Sequence, residues 1–212
     1  MKVRVPLSVA EPAAAWLARS IRACSGPIFS RVEVAGSIRR RKPEVGDIEI
    51  VAEGTTCCRP DTVRGILHSL RVRRGEPNKI GAAAPWGERY YRGVLPLSNG
   101  REIGLDLFVV LRPAQWGVIY AIRTGSAEFS KAVVTRLHRY GLRSEQGCIF
   151  DVATGKTLPC STETDFFRYA HLPWIPPELR DIREEVARLA FSGEWESNRP
   201  PSSESEPMEA QE

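Results

Sequence analysis

Apolar and polar positions recur along this chain with two different periods, and each change of period marks a new element. Between about 10 and 24 the spacing is helical, with Ala14, Leu17, Ile21 and Cys24 on one face. The period then shortens to two, which predicts strands at about 31–36 and 47–52. Pro60, a favoured first residue, opens a helix over 60–70 that buries Val63, Ile66, Leu67 and Leu70. Three β-like segments follow at 71–76, 88–95 and 101–110, the last two flanking a turn at Ser98-Asn99-Gly100. From Pro113 the spacing is helical again. One helix ends near Thr124-Gly125. The next spans about 127–140, with Ser126 as N-cap, Gly141 past its end, and Phe129, Val133, Leu137 and Tyr140 on one face. A short β excursion at 147–158, a helix near 163–170 and a final helix carrying Leu179, Ile182, Val186 and Leu189 complete the order.

This order predicts an α+β fold. A mixed-sheet domain covers 1–111, a small, mostly helical module covers 112–192, and an acidic tail covers 193–212. A chain of 212 residues that is 42% hydrophobic has enough apolar surface for a globular core. Its formal charge of +4 hides an asymmetry. Residues 193–212 hold six Glu against one Arg, a net of −5, so residues 1–192 carry +9. A basic body suits a polyanionic partner, and the tail, poor in large apolar residues, is expected to be disordered. Five cysteines without a C-x-x-C pair, and no signal peptide, point to a reducing, cytoplasmic setting. No apolar run approaches the ~20 residues of a membrane span.

Chemistry concentrates in GSIRRRKPEVGDIEI, residues 36–50. Side chains at i and i+2 of a strand share a face, so Asp47 and Glu49 point one way while Ile48 and Ile50 point into the core. Two such carboxylates repel each other unless a cation lies between them. Mg²⁺ takes oxygen ligands, and one or two carboxylates plus substrate phosphates suffice. The basic turn ahead of the strand offers donors for those phosphates. In REIGLDLFVV, Asp106 lies opposite the apolar face of 103, 105, 107 and 109. An unpaired buried carboxylate costs about several kcal/mol, which marks it as functional.

The block resembles the nucleotidyltransferase superfamily, and within it the family X DNA polymerases typified by DNA polymerase beta. Two later segments resemble the same family: Thr124-Gly125-Ser126 with its helix, and LPWIPPELRD near the end. The resemblance implies a two-metal site of Asp47, Glu49 and Asp106 that holds two Mg²⁺ ions, with Mn²⁺ as an alternative. It implies nucleotide contacts from Arg4, Gly36, Ser37, Arg40 and Gly46, and from Ile122, Gly125 and Ser130 beside the nascent base pair. Arg39 and Arg41 are expected to be solvated, and Trp174, Pro176 and Pro177 to pack. With about 30 residues ahead of Gly36, the resemblance leaves no room for the family's lyase domain. DNA contacts then fall to the basic body, with Lys131, Arg136 and Arg139 as candidates and Arg71, Arg73, Arg74, Lys79 and Arg89 beside them. The implied protein is a monomeric, membrane-free polymerase that takes a dNTP and a primer-template or gapped DNA, in repair by short-gap filling.

Departures from the family pattern qualify this expectation. Glu49 stands where Asp is usual, Gly104 where Arg is frequent, and Ile122-Arg123 where Tyr-Phe packs under the sugar. Ser130 and Val134 replace an asparagine and an arginine that serve the base pair and the template. Low fidelity is the expectation, and selection between deoxyribonucleotides and ribonucleotides is left open. The competing readings are a template-independent or RNA-directed nucleotidyltransferase and a nucleic-acid-binding module whose metal site has decayed.

Overall fold

The computed structural model describes residues 4–75 and 86–181. The fold is α+β, with a five-stranded mixed sheet, a second small sheet, and helices on both faces of the first. Strand β1 (Val5–Pro6) leads into helix α1 (Leu7–Ser25), and β2 (Phe29–Val34) into the one-turn helix α2 (Gly36–Arg39). Strands β3 (Glu44–Val45) and β4 (Asp47–Gly54), helix α3 (Pro60–Ser69), and strands β5 (Arg73–Arg74), β6 (Tyr90–Pro96) and β7 (Glu102–Val110) follow. The sheet order is β2-β4-β7-β6-β5. The β4–β7 pair is parallel and its neighbours are antiparallel.

Alternation sorts the two faces of this sheet. Ile48, Ile50 and Ala52 of β4, with Leu105, Leu107 and Val109 of β7, pack under α1 and α3 in the main core. Val51, Phe108 and Val110 occupy the other face. There they meet Trp116, Ile119 and Tyr120 of helix α4 (Trp116–Thr124). Helix α4 covers part of that face, and its Ile119 and Arg123 line the cleft beside Glu49 and Asp106.

A second core lies C-terminal. Helix α5 (Ala127–Leu137), strands β8 (Leu142–Glu145), β9 (Cys148–Asp151) and β10 (Thr157–Leu158), and helix α6 (Glu163–Tyr169) enclose Phe129, Val133, Leu137, Ile149, Phe166 and Phe167. Ser126 caps α5 by accepting from the Phe129 N–H at 3.1 Å, and Thr162 and Asp165 form a capping box on α6. The module is less helical than its sequence pattern indicates. Leu142 begins an antiparallel three-stranded sheet, so the β region starts five residues before 147. Tyr140 also leaves the predicted apolar face: it is 37% exposed and stacks on His171 at 3.7 Å. Only the 3-10 turn Pro177–Leu179 of the predicted final helix falls within the described residues; Ile182, Val186 and Leu189 lie outside them, as does Lys79.

Candidate active site

Register builds the site. In the parallel β4–β7 ladder Glu49 is level with Asp106, and Asp47 with Gly104. On the other side of β7, Arg92 of β6 is level with Asp106, and Tyr90 with Phe108. One rung of the sheet therefore reads Glu49, Asp106, Arg92, with Asp47 one pleat away on the same face. Tyr90 stacks on Phe108 (centroids 4.9 Å apart, 8° between planes) and reaches back one rung to donate its hydroxyl to Asp106 Oδ1 at 2.7 Å. The Arg92 Nε stands 3.5 Å from the same oxygen.

Glu49 carries the electrostatic strain of this arrangement. Burial first, and then the charges of Asp47 and Asp106, push its carboxyl up to about 7, and Arg40 and Arg123 offset only part of that. Its carboxylate lies directly over Gly36. That glycine has φ +62°, and a Cβ on it would fall 1.7 Å from Glu49 Oε2. Both the left-handed backbone and the close approach require glycine here. The Ala35 N–H donates to the Glu49 carbonyl at 2.8 Å, which fixes the turn against β4.

Among the described residues, no three His, Cys, Asp or Glu side chains converge closely enough to close a metal site by themselves. The donor chemistry still fits a hard divalent ion. Three carboxylates share one face, and such ions commonly complete their shell with water and substrate phosphate. Beside the acids opens a cleft of about 560 Å³ lined by Glu49, Asp106, Tyr90, Phe108, Arg89 and Arg123. The Arg123 guanidinium stacks 3.9 Å above the Phe108 ring.

The basic turn is organised differently from its sequence expectation. Arg39, expected in solvent, is part-buried. It grips both oxygens of Glu163 at 2.7 Å, donates to Thr124 Oγ1 at 2.7 Å, and lies 4.0 Å over the Tyr120 ring. Arg180, fully buried between Phe167 and Trp174, also donates to Glu163 Oε1, which it shares with Arg39. Burial pushes the Glu163 carboxyl up, but the bonds from Arg39 and Arg180 outweigh it and hold the group below the ordinary range. The Arg39 fork and a single N–H of Arg180 serve one buried carboxylate, which keeps the ion pair ionised, while Arg180 Nη2 is buried without a hydrogen-bond partner. Arg41 alone follows expectation: it is exposed and pairs with Glu11 at 3.0 Å.

Arg40, expected to face phosphate, is engaged within the chain. Its Nε donates to Asp181 Oδ1 at 2.9 Å and its Nη1 to the Thr124 carbonyl at 2.6 Å; Lys42 pairs with the other Asp181 oxygen. Ser37 and Gly46 are half-buried, next in sequence to Gly36 and Asp47. Arg4 is exposed at the start of β1, where the Val5–Val45 pairing brings it level with Gly46.

The C-terminal candidates divide. Ser130 is buried and donates to the Ile122 carbonyl at 2.9 Å, so its hydroxyl joins α5 to α4. Gly125 is tight: a Cβ there would stand 2.6 Å from Ser130 Oγ and 2.8 Å from Phe129. Ile122 packs against the second core. Arg136 donates to the Ala170 and His171 carbonyls (2.6 and 3.3 Å) and to the Tyr140 hydroxyl (2.9 Å), which makes it a tie within the module. Lys131 and Arg139 are exposed.

Residues 120–181 match the DNA polymerase beta thumb. This thumb-like stretch runs from the middle of α4 to Asp181. It therefore contains Thr124, Glu163 and Asp181, which accept hydrogen bonds from Arg39 and Arg40 of the basic turn. No helix among the described residues is long and apolar enough to cross a membrane. Tyr90 and Glu163 belong to no motif of the sequence; Arg180 belongs to LPWIPPELRD, in which the sequence assigns a role, packing, only to Trp174, Pro176 and Pro177.

Proposed function

We propose that this chain is a DNA polymerase of the family X type that adds a dNMP to a primer 3′-hydroxyl, filling short gaps in DNA during repair. One observation carries the reading: a thumb-like segment locks onto a cationic turn that adjoins the Glu49–Asp106 rung. Asp47, Glu49 and Asp106 would hold two Mg²⁺ ions, or Mn²⁺. When bound, such ions lower the pKa of the attacking hydroxyl and neutralise charge on the departing pyrophosphate. Ser37 and Arg4 would contact the triphosphate, and Arg40 and Lys42 would join them by exchanging the Asp181 carboxylate for phosphate oxygens. Exposed Lys131 and Arg139 would follow the DNA backbone, and that contact should weaken steeply with salt. Ile122-Arg123, with Ser130 turned inward, leaves few groups to inspect the sugar or the base edge. Low fidelity follows from that scarcity.

The test is extension of a primer on a one-nucleotide-gapped duplex, each dNTP and rNTP supplied singly with Mg²⁺ and then Mn²⁺. Template-directed addition that disappears in Asp106→Ala supports the proposal. Template-blind addition moves the protein to the terminal transferases. DNA binding with no product under either metal would leave a nucleic-acid-binding module.

A further inference from the structure

Asp106 differs from the other two acids in how it is held. Its neighbours across β6 both address one oxygen: the Tyr90 hydroxyl donates to Oδ1 at 2.7 Å, and the Arg92 Nε lies 3.5 Å from it. Neither contact falls on Oδ2. The Tyr90 ring is itself fixed, stacked in near-parallel on Phe108, which is its direct cross-strand partner. Phe108 is clamped in turn by the Arg123 guanidinium at 3.9 Å. The hydroxyl therefore projects from a ring with little freedom to turn. A short hydrogen bond from a rigid donor restricts the carboxylate torsion and settles which oxygen faces the cleft.

We propose that Tyr90 is a positioning residue for the third carboxylate: it anchors Oδ1 of Asp106, with Arg92 alongside, so that Oδ2 is the oxygen presented to a divalent cation. The inference rests on the metal reading given above and names the residue that prepares one of its ligands. Tyr90 does not touch the ion. It acts through Asp106, and replacing it by Phe removes the hydroxyl while keeping the stacked ring. An outer partner of this kind commonly changes metal affinity by about tenfold or more.

The experiment is Mn²⁺ titration of the full chain without nucleotide or DNA, followed by electron paramagnetic resonance, for the wild type, Tyr90→Phe, Asp106→Asn and the double variant, each with its thermal melt. The expected result is Mn²⁺ binding by the wild type, loss of the tightest site in Asp106→Asn, and affinity about tenfold weaker in Tyr90→Phe. In the Asp106→Asn background, Tyr90→Phe should leave the residual affinity unchanged. Equal binding by wild type and Tyr90→Phe, with Asp106→Asn defective, overturns the inference and leaves the metal reading standing. A further loss in the double variant also overturns it, because the hydroxyl then acts on the fold and not on Asp106. If the wild type binds no Mn²⁺ even after a dNTP is added, the metal reading itself falls.

Discussion

The carboxylate of Asp181 is bonded to the guanidinium of Arg40 at 2.9 Å, across 141 residues of chain. Asp181 also pairs with Lys42, so the two cations best placed for a polyphosphate are held by an internal anion. Asp181→Asn keeps the size of the side chain and removes the competitor. Partly exposed pairs contribute about 0.5–1 kcal/mol, so triphosphate affinity should rise roughly two- to fivefold. Calorimetric titration with a dNTP or tripolyphosphate checks this, and a weaker affinity would mean that Asp181 organises the cations.

Glu163 is the acid on which the thumb-like module and the basic turn both depend. Glu163→Gln leaves Arg39 and Arg180 without their shared counter-charge, Arg180 being fully buried. Breaking a buried pair costs about 3–5 kcal/mol. At about 2–4 °C per kcal/mol for a chain of this size, the melting temperature should fall by at least about 6 °C.

The same carboxylate predicts an acid response. Its folded value lies below the ordinary one because Arg39 and Arg180 outweigh burial. The stability it supplies is therefore complete above about pH 4.3 and is lost as pH falls through the depressed folded value. Melting temperature measured downward from pH 5 should drop more steeply in the wild type than in Glu163→Gln. Parallel curves would remove Glu163 from the explanation.

Gly36→Ala places a methyl group on the Glu49 carboxylate and forces alanine into a left-handed conformation. The backbone alone costs about 1–3 kcal/mol. The larger effect should be on metal-dependent nucleotide addition, because the carboxylate must leave the place it holds over Gly36. A variant that melts lower yet keeps full turnover would show that the orientation of Glu49 does not matter.

Ser130→Ala separates a packing role from a base-reading role. Its hydroxyl serves the Ile122 carbonyl, so its removal should cost about 1 kcal/mol of stability. The ratio of correct to incorrect insertion should stay as in the wild type. A changed ratio would return Ser130 to the base pair.

Alternation made the sheet readable. The period of two in DIEIV and in EIGLDLFVV placed the acids opposite the core, and their shared face follows from the pleat. The basic run was not separable in the same way. Arg39, Arg40 and Arg41 are identical in type and adjacent, yet Glu163, Asp181 and Glu11 claim one each. Two of those partners are more than 120 residues away, and no local pattern encodes that distance. Strand β8 escaped notice because LRSE has a single apolar residue; its pairing with Cys148–Asp151 is what makes it a strand. Tyr90 reads as an ordinary strand aromatic until its reach to Asp106 is known.

Parallel pairing of β4 with β7 also ties the chemistry to the order of folding. A hairpin forms from neighbours, but Glu49 and Asp106 meet only after a crossover through α3 and β6 has closed, a slow class of contact. A slip of one residue in either strand turns its acids toward the core. A nascent chain therefore displays its arginine-rich turn, with Asp47 and Glu49 close behind it, well before Asp106 can join them. Through that interval the cationic turn is present while the third acid of the site is not.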